Sequence, residues 1–248
     1  MAHPFEVRKE IDVAASPEEL WEAIATGSGI DGWFLGSGNE VEPRVGGRVR
    51  VALGEDLGES TVTAWEPPTR FAYRADEGPD GSLHAFEYVI EARGGGRAVV
   101  RLVHSGFLAD DWEAEYDALN EGDAMYLHLL AQYVTHFRGR RATAISLWRW
   151  NEPERDRAIG IFRDALALSA DVAEGDPVRV EPAGIGPIEG VVDFVSRGII
   201  GVRTEDALYR FLHTPQAVAF LGHHIYRDDI DPDATKQAWQ AWFDRSFA

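Results

Sequence analysis

The sequence predicts an α+β protein in which an antiparallel sheet wraps a long helix, followed by a second, smaller sheet-and-helix unit. Three observations predict it. Short segments up to about residue 104 alternate apolar and polar residues with period two, and Gly or Pro marks each turn. From about Asp111 to Phe137 the period becomes helical. After about residue 150 the order of strands and then a helix starts again.

Residues 5–13 open the chain as a half-buried strand, with Phe5, Val7, Ile11 and Val13 on one face and Glu6, Arg8, Glu10 and Asp12 on the other. Ser16-Pro17-Glu18-Glu19 then starts a helix, with Ser16 as N-cap, Pro17 as first helical residue and Glu19 closing a capping box. Gly27, Gly29 and Gly32 break that helix before Trp33. Strands follow around Val49–Leu53, Thr61–Trp65, Phe71–Tyr73, His84–Ile90 and Ala98–His104. Their short turns predict an antiparallel meander. The long helix carries Leu119, Asp123, Tyr126, Leu130, Tyr133 and Phe137 on one stripe, and Gly139 stops it. Seven acids from Asp110 to Asp123 crowd its first half, the end that favours negative charge.

The expected division is a domain over 1–139, a linker over 140–152 and an α+β domain over 153–248. The second unit has a helix around 154–170, strand candidates at 177–181, 187–196, 199–204, 207–213 and 217–227, and a last helix starting at Asp231-Pro232. Strands followed by a C-terminal helix repeat, in reduced form, the second half of the first unit.

Composition narrows the function classes. The chain has 248 residues, enough to bury roughly 70–75% of its unfolded surface. It carries 42 Asp and Glu against 24 Lys and Arg, a net charge of −18, which phosphate backbones and anionic lipid would repel. Nucleic acid and membrane are therefore excluded as expected partners. There is no cysteine, so disulfides, thiolate nucleophiles and thiolate metal sites are excluded. No apolar stretch reaches the length of a membrane span, and Met1–Glu6 lacks the features of a secretory signal, so the expected address is the cytoplasm. No metal and no cofactor is expected: His223-His224 are adjacent, His128 and His136 are eight apart, and Gly94-Gly95-Gly96 leads into a strand rather than a helix.

The chemistry-bearing candidates are few. His104 is in phase with Val100 and Leu102 and should point toward the helix, either to serve a ligand as hydrogen-bonding or acid–base group or to tie down the Ser105-Gly106 loop. Asp123 shares the stripe of Tyr126 and Leu130, where it would be a general acid in an apolar cavity or a wet residue at the rim. The acidity of this end of the helix favours the wet position, leaving His104 neutral and apart from Asp123. Trp33, Trp112, Tyr116 and Tyr126 are candidates for lining a ligand cavity, and Trp65 for the core.

The first 138 residues resemble the START-like SRPBCC superfamily, in the branch named for the activator of heat-shock-protein-90 ATPase. The residues that carry the resemblance are Val13-Ala14-Ala15-Ser16-Pro17-Glu18-Glu19-Leu20-Trp21, Gly32-Trp33-Phe34, Gly46-Gly47, Trp65-Glu66-Pro67-Pro68 and Leu102-Val103-His104-Ser105-Gly106, with Gly122, Leu127, Leu130 and Tyr133. Many relatives place Trp at the position of Asp123. The resemblance implies a helix-grip fold with an apolar cavity between sheet and long helix, and a C-terminal extension that is a degenerate second grip or another α+β unit. It implies binding of a small hydrophobic or aromatic ligand, with Trp33, His104, Trp112, Tyr116, Asp123, Tyr126 and Leu130 at the site. Two alternatives stay open: a polyketide cyclase or dehydratase using His104 and Asp123, and a chaperone-associated module with a protein partner.

Overall fold

The computed structural model describes residues 2–53, 56–109, 112–150, 155–214 and 218–248. The chain folds as two compact units, Met1–Arg141 and Ala142–Ala248.

In the first unit, strand β1 (His3–Val13) leads into helices α1 (Pro17–Ala25) and α2 (Gly27–Ile30). Then come β2 (Glu40–Val41), β3 (Arg48–Leu53), β4 (Asp56–Glu66), β5 (Arg70–Ala75), β6 (Leu83–Gly94), β7 (Arg97–Leu108) and the long helix α3 (Trp112–Gln132). The capping box forms: Ser16 N–H donates to Glu19 Oε2 at 2.8 Å, and Glu19 N–H to Ser16 Oγ at 3.3 Å. Gly32, just past α2, has a packing reason, since a Cβ there would lie 2.5 Å from the Tyr133 ring. α3 gives way at Tyr133–Phe137 to one wide π-helical turn rather than running regularly to Phe137.

The seven strands pair antiparallel in the order β1-β7-β6-β5-β4-β3-β2. Register decides what meets on the inner face. Tyr73 stands opposite Phe86, Phe86 opposite His104, and His104 opposite Val7, so these four form one row across four strands. Alternate residues turn outward into ion pairs, such as Arg101 to Glu10 at 2.6 Å and Arg70 to Glu87 at 2.9 Å. Phe5, Val7 and Leu108 pack against Trp112, Tyr116 and Leu119 of α3, which lays the helix over this end of the sheet.

The second unit begins earlier than the sequence predicts. Residues 143–150 of the expected linker form strand β8 (Thr143–Trp150), with Ile145 and Leu147 buried and the whole strand paired with β13 (Val218–Ile225). The linker residues 151 and 152 lie outside the described residues. Helix α4 (Arg155–Ala165) is shorter than the predicted 154–170, because Ala167 takes a left-handed φ of 52° and turns the chain. β9 (Pro177–Val180), β10 (Ile188–Val195), β11 (Ile199–Arg203), β12 (Ala207–His213), β13 and α5 (Pro232–Ser246) follow. The N-cap Asp231 accepts from the backbone of Asp233 and Ala234 at 3.0 and 3.1 Å.

The second sheet runs β8-β13-β12-β11-β10-β9. In both units the first strand pairs with the last, the meander runs away from it, and a helix closes the chain. The second core joins Ile145, Leu147, Phe162, Val202, Phe211, Leu221, Trp239, Trp242 and Phe243. His223 sits inside it, 1% exposed, its Nδ1 accepting the Arg210 backbone N–H at 3.1 Å and its ring 4.3 Å from that of Trp239. Its Nε2 has no hydrogen-bond partner.

Candidate functional site

His104 and Asp123 meet. His104 Nδ1 lies 2.9 Å from Asp123 Oδ2, and the two residues are 2% and 5% exposed. This corrects the expectation that Asp123 is wet and His104 stands apart from it. Asp123 lies four residues after Leu119, seven after Tyr116 and eleven after Trp112, so it shares the stripe that packs on the sheet. The exposed acids of this half, Glu113 and Asp117, lie on another face of the helix. Asp110 and Asp111 lie outside the described residues.

A third group extends the pair. His84 Nδ1 is 3.0 Å from His104 Nε2, and His84 Nε2 is 4.0 Å from Glu115 Oε1. With Asp123 ionised the carboxylate only accepts, so the hydrogen of His104 is on Nδ1. When that ring carries no second hydrogen it accepts at Nε2, and His84 then donates from Nδ1 and keeps a lone pair on Nε2. The chain of groups runs from a buried carboxylate, through a buried imidazole, to an imidazole whose side chain is 29% exposed. Burial, and next the neighbouring His104, hold His84 below its ordinary pKa, so its ring is neutral at pH 7.

Aromatic rings surround this chain. Phe86 stacks on His104 with centroids 4.0 Å apart, and Tyr73 stacks on Phe86 at 5.1 Å. Phe5 meets His104 edge-on at 5.1 Å. Tyr126 packs on Phe34 at 4.6 Å. Burial above all, with the Asp123 charge adding to it, pushes the phenols of Tyr73, Tyr88 and Tyr126 upward, so all three stay protonated donors. One void, lined by Ile24, Ile30, Trp33, Phe34, Val51, Tyr73 and Tyr88, has a volume of about 10 Å³, room for about one water molecule.

The sequence candidates divide accordingly. His104 and Asp123 stand in contact, and Tyr126 lies within reach of the Asp123 charge. Trp33 borders the small void and donates its indole N–H to the Ala23 carbonyl at 2.9 Å. Leu130 is wholly buried. Trp112 and Tyr116 belong to the cluster over β1, where Trp112 also stacks on His3 at 5.2 Å. Trp65 packs its ring against Trp21 and Phe71 at 4.9 and 5.4 Å. Sequence reasoning missed His84, Phe86, Tyr73 and Phe34, although His84 and Phe86 share the strand phase of the buried Tyr88 and Ile90. Among the described residues no group of three His, Asp or Glu side chains is placed to hold a metal ion, and no helix is long and apolar enough to cross a membrane.

Comparison with known proteins gives likenesses to part of the chain and to nearly all of it. The uncharacterized protein Rv2574 of Mycobacterium tuberculosis is 30% identical over 101 residues, which cover 38% of this chain and 60% of that protein. Among solved structures, protein MLL2253 from Mesorhizobium loti is 21% identical, covering 54% of this chain and 98% of that one, with a TM-score of 0.47. The Aha1 dimer from Colwellia psychrerythraea is 21% identical, covering 52% and 96%, with a TM-score of 0.44. The di-domain ARO/CYC BexL from the BE-7585A biosynthetic pathway is 14% identical, covering 97% and 94%, with a TM-score of 0.48. Residues 14–135 match the sequence model of the family described as Activator of Hsp90 ATPase homolog 1-like protein. With α3 laid over its antiparallel sheet, the N-terminal unit has the helix-grip fold.

Proposed function

We propose that the N-terminal unit binds a small apolar or aromatic molecule between the inner face of its sheet and α3, with the His104–Asp123 pair acting on the ligand's polar group through His84. The observation that carries this reading is the half-buried aromatic set of Phe34, Tyr73, Phe86 and Tyr126 beside a buried, paired imidazole. Rigid rings supply apolar contact at small entropic cost, and one oriented polar group supplies direction. Native mass spectrometry of gently purified protein, together with fluorescence titration against naphthalene and phenol probes, tests it. A co-purifying molecule or saturable quenching supports binding; a bare mass and no response from any probe overturns it.

A second reading has its own observation. Three polar groups in hydrogen-bonded series support acid–base catalysis of the cyclase or dehydratase kind rather than simple carriage. Turnover of a bound dicarbonyl or hydroxy-carbonyl compound, lost on removal of His104, separates the two.

A further inference from the structure

We infer that Asp123, His104 and His84 form a proton relay whose open end, Nε2 of His84, takes the proton of a weakly acidic hydroxyl group, so that the site selects planar phenols or enols and holds them as their anions. The inference rests on the aromatic-ligand reading and adds the chemistry of the ligand's polar group.

The geometry sets a direction. Each link is a hydrogen bond of ordinary length, 2.9 Å from Asp123 to His104 and 3.0 Å from His104 to His84. Only one end reaches toward solvent, since the His104 side chain is 3% exposed and that of His84 29%. A ligand hydroxyl placed at His84 Nε2 breaks its O–H bond and leaves the electron pair on oxygen. A new N–H bond forms on Nε2. The Nδ1 hydrogen of His84 passes to Nε2 of His104, which then holds hydrogens on both nitrogens. The positive charge comes to rest on His104, against the Asp123 carboxylate, and His84 ends neutral, donating from Nε2 to the ligand anion.

The groups around the relay agree with that resting place. A proton kept on His84 would be opposed by burial and by His104, with Asp123 and Asp80 only partly compensating. Moved one ring inward, the charge faces a carboxylate in direct contact. Glu115 Oε1 lies 4.0 Å from His84 Nε2; when ionised it receives the incoming hydroxyl as an acceptor but opposes the ligand anion, so the relay acts against that charge. Tyr73, Tyr88 and Tyr126 stay protonated and offer no competing base. Asp123 acts through His104 and is a positioning residue; His84 is the group that touches the ligand.

The test uses para-nitrophenol, whose anion absorbs visible light, and para-nitroanisole, which has the same ring and no acidic hydrogen. Both are titrated into the full chain at a pH one unit below the free phenol's own pKa. The expected result is saturable binding of both, with the anion-to-phenol ratio of bound nitrophenol raised about tenfold over free, one pKa unit. In Asp123→Asn and in His84→Gln the ratio should fall back to the free value, and nitroanisole binding in each variant shows how much of the ring contact remains. Near-UV circular dichroism checks that each variant keeps its fold, and the partly exposed His84→Gln serves if Asp123→Asn does not. Binding of both probes without a change in ratio overturns the relay and leaves the aromatic-ligand reading standing. Binding of neither probe overturns both.

Discussion

His104 and Asp123, one on the inner face of β7 and one on the second half of α3, are joined by a 2.9 Å contact that water barely reaches. Residues nineteen apart in sequence, one on a strand and one on a helix, thus place complementary groups on one another in a largely apolar setting. Breaking a buried pair from one side strands the other partner, which costs about 3–5 kcal/mol, whereas an isosteric amide keeps a hydrogen bond. Asp123→Ala should therefore lower stability by about 3 kcal/mol and Asp123→Asn by about 1–2 kcal/mol, read from urea unfolding. A proton spectrum of the wild type should show a slowly exchanging His104 Nδ1–H resonance at low field that is absent from Asp123→Ala. If both variants unfold at the wild-type midpoint, the pair contributes nothing.

Tyr126 packs on Phe34 at 4.6 Å and shares the helix stripe of Asp123. Tyr126→Ala should widen the space between α3 and the helix break and cost about 2–4 kcal/mol through lost packing. Tyr126→Phe keeps the ring and should cost under about 1 kcal/mol. Aromatic probe affinity should change in the first variant more than in the second, and equal affinities in the two would remove Tyr126 from the ligand surface.

Gly106 follows His104 by two residues and has a φ of 153°, and a Cβ there would stand 1.7 Å from the Leu83 carbonyl oxygen. That oxygen is backbone and cannot swing away. Gly106→Ala should push β6 off β7 beside His84, costing about 2 kcal/mol or more and lowering the Tm by about 4 °C or more for a chain of this size. Calorimetry gives the Tm, and a change in the His84 ring resonances would place the disturbance. An unshifted Tm would mean that the pairing absorbs the clash.

The second unit should lose stability in acid through His223. Burial first, and then the charge of His224, hold its folded pKa well below the ordinary value. The unfolded ring takes a proton below about 6.5 and the folded ring refuses it, so the contribution is complete above that pH. As pH falls from 6.5 toward the folded pKa, unfolding gains one proton and stability drops by about 1.4 kcal/mol per pH unit from this group. His223→Gln should lower stability at pH 7 and flatten the acid limb by about one proton, measured as urea midpoints at several pH values. Parallel limbs in wild type and variant would exclude His223 as the source.

Much of the scaffold was legible from local chemistry. Ser16 with Glu19, and Asp231 with Pro232, announce helix starts that form where they stand. β8 was hidden by its flanks: Arg140-Arg141 before it and Asn151-Glu152-Pro153 after it have linker composition, and the alternation of Ile145 and Leu147 is only two apolar residues deep. The site was legible in phase but not in contact. Counting back from Asp123 through Leu119, Tyr116 and Trp112 puts its side chain on the sheet side, yet the crowd of acids around it suggests water. His84 reaches His104 only in the register of the β6–β7 hairpin, and a slip of one residue would turn it outward. The three-glycine turn at Gly94–Gly96 allows more than one closure, so that register is fixed by the packed sheet and not by the turn.

The two closing strands hold a comparison inside one molecule. Each carries an inward histidine paired with an apolar residue of the first strand, His104 with Val7 and His223 with Ile145. Where α3 brings a carboxylate to the first imidazole, α5 brings the indole of Trp239 to the second. The same framework thus gives one histidine a carboxylate partner and sets the other against an aromatic ring. The difference therefore lies in what the closing helix carries and not in the sheet, which in both units sets a histidine of the last strand opposite an apolar residue of the first.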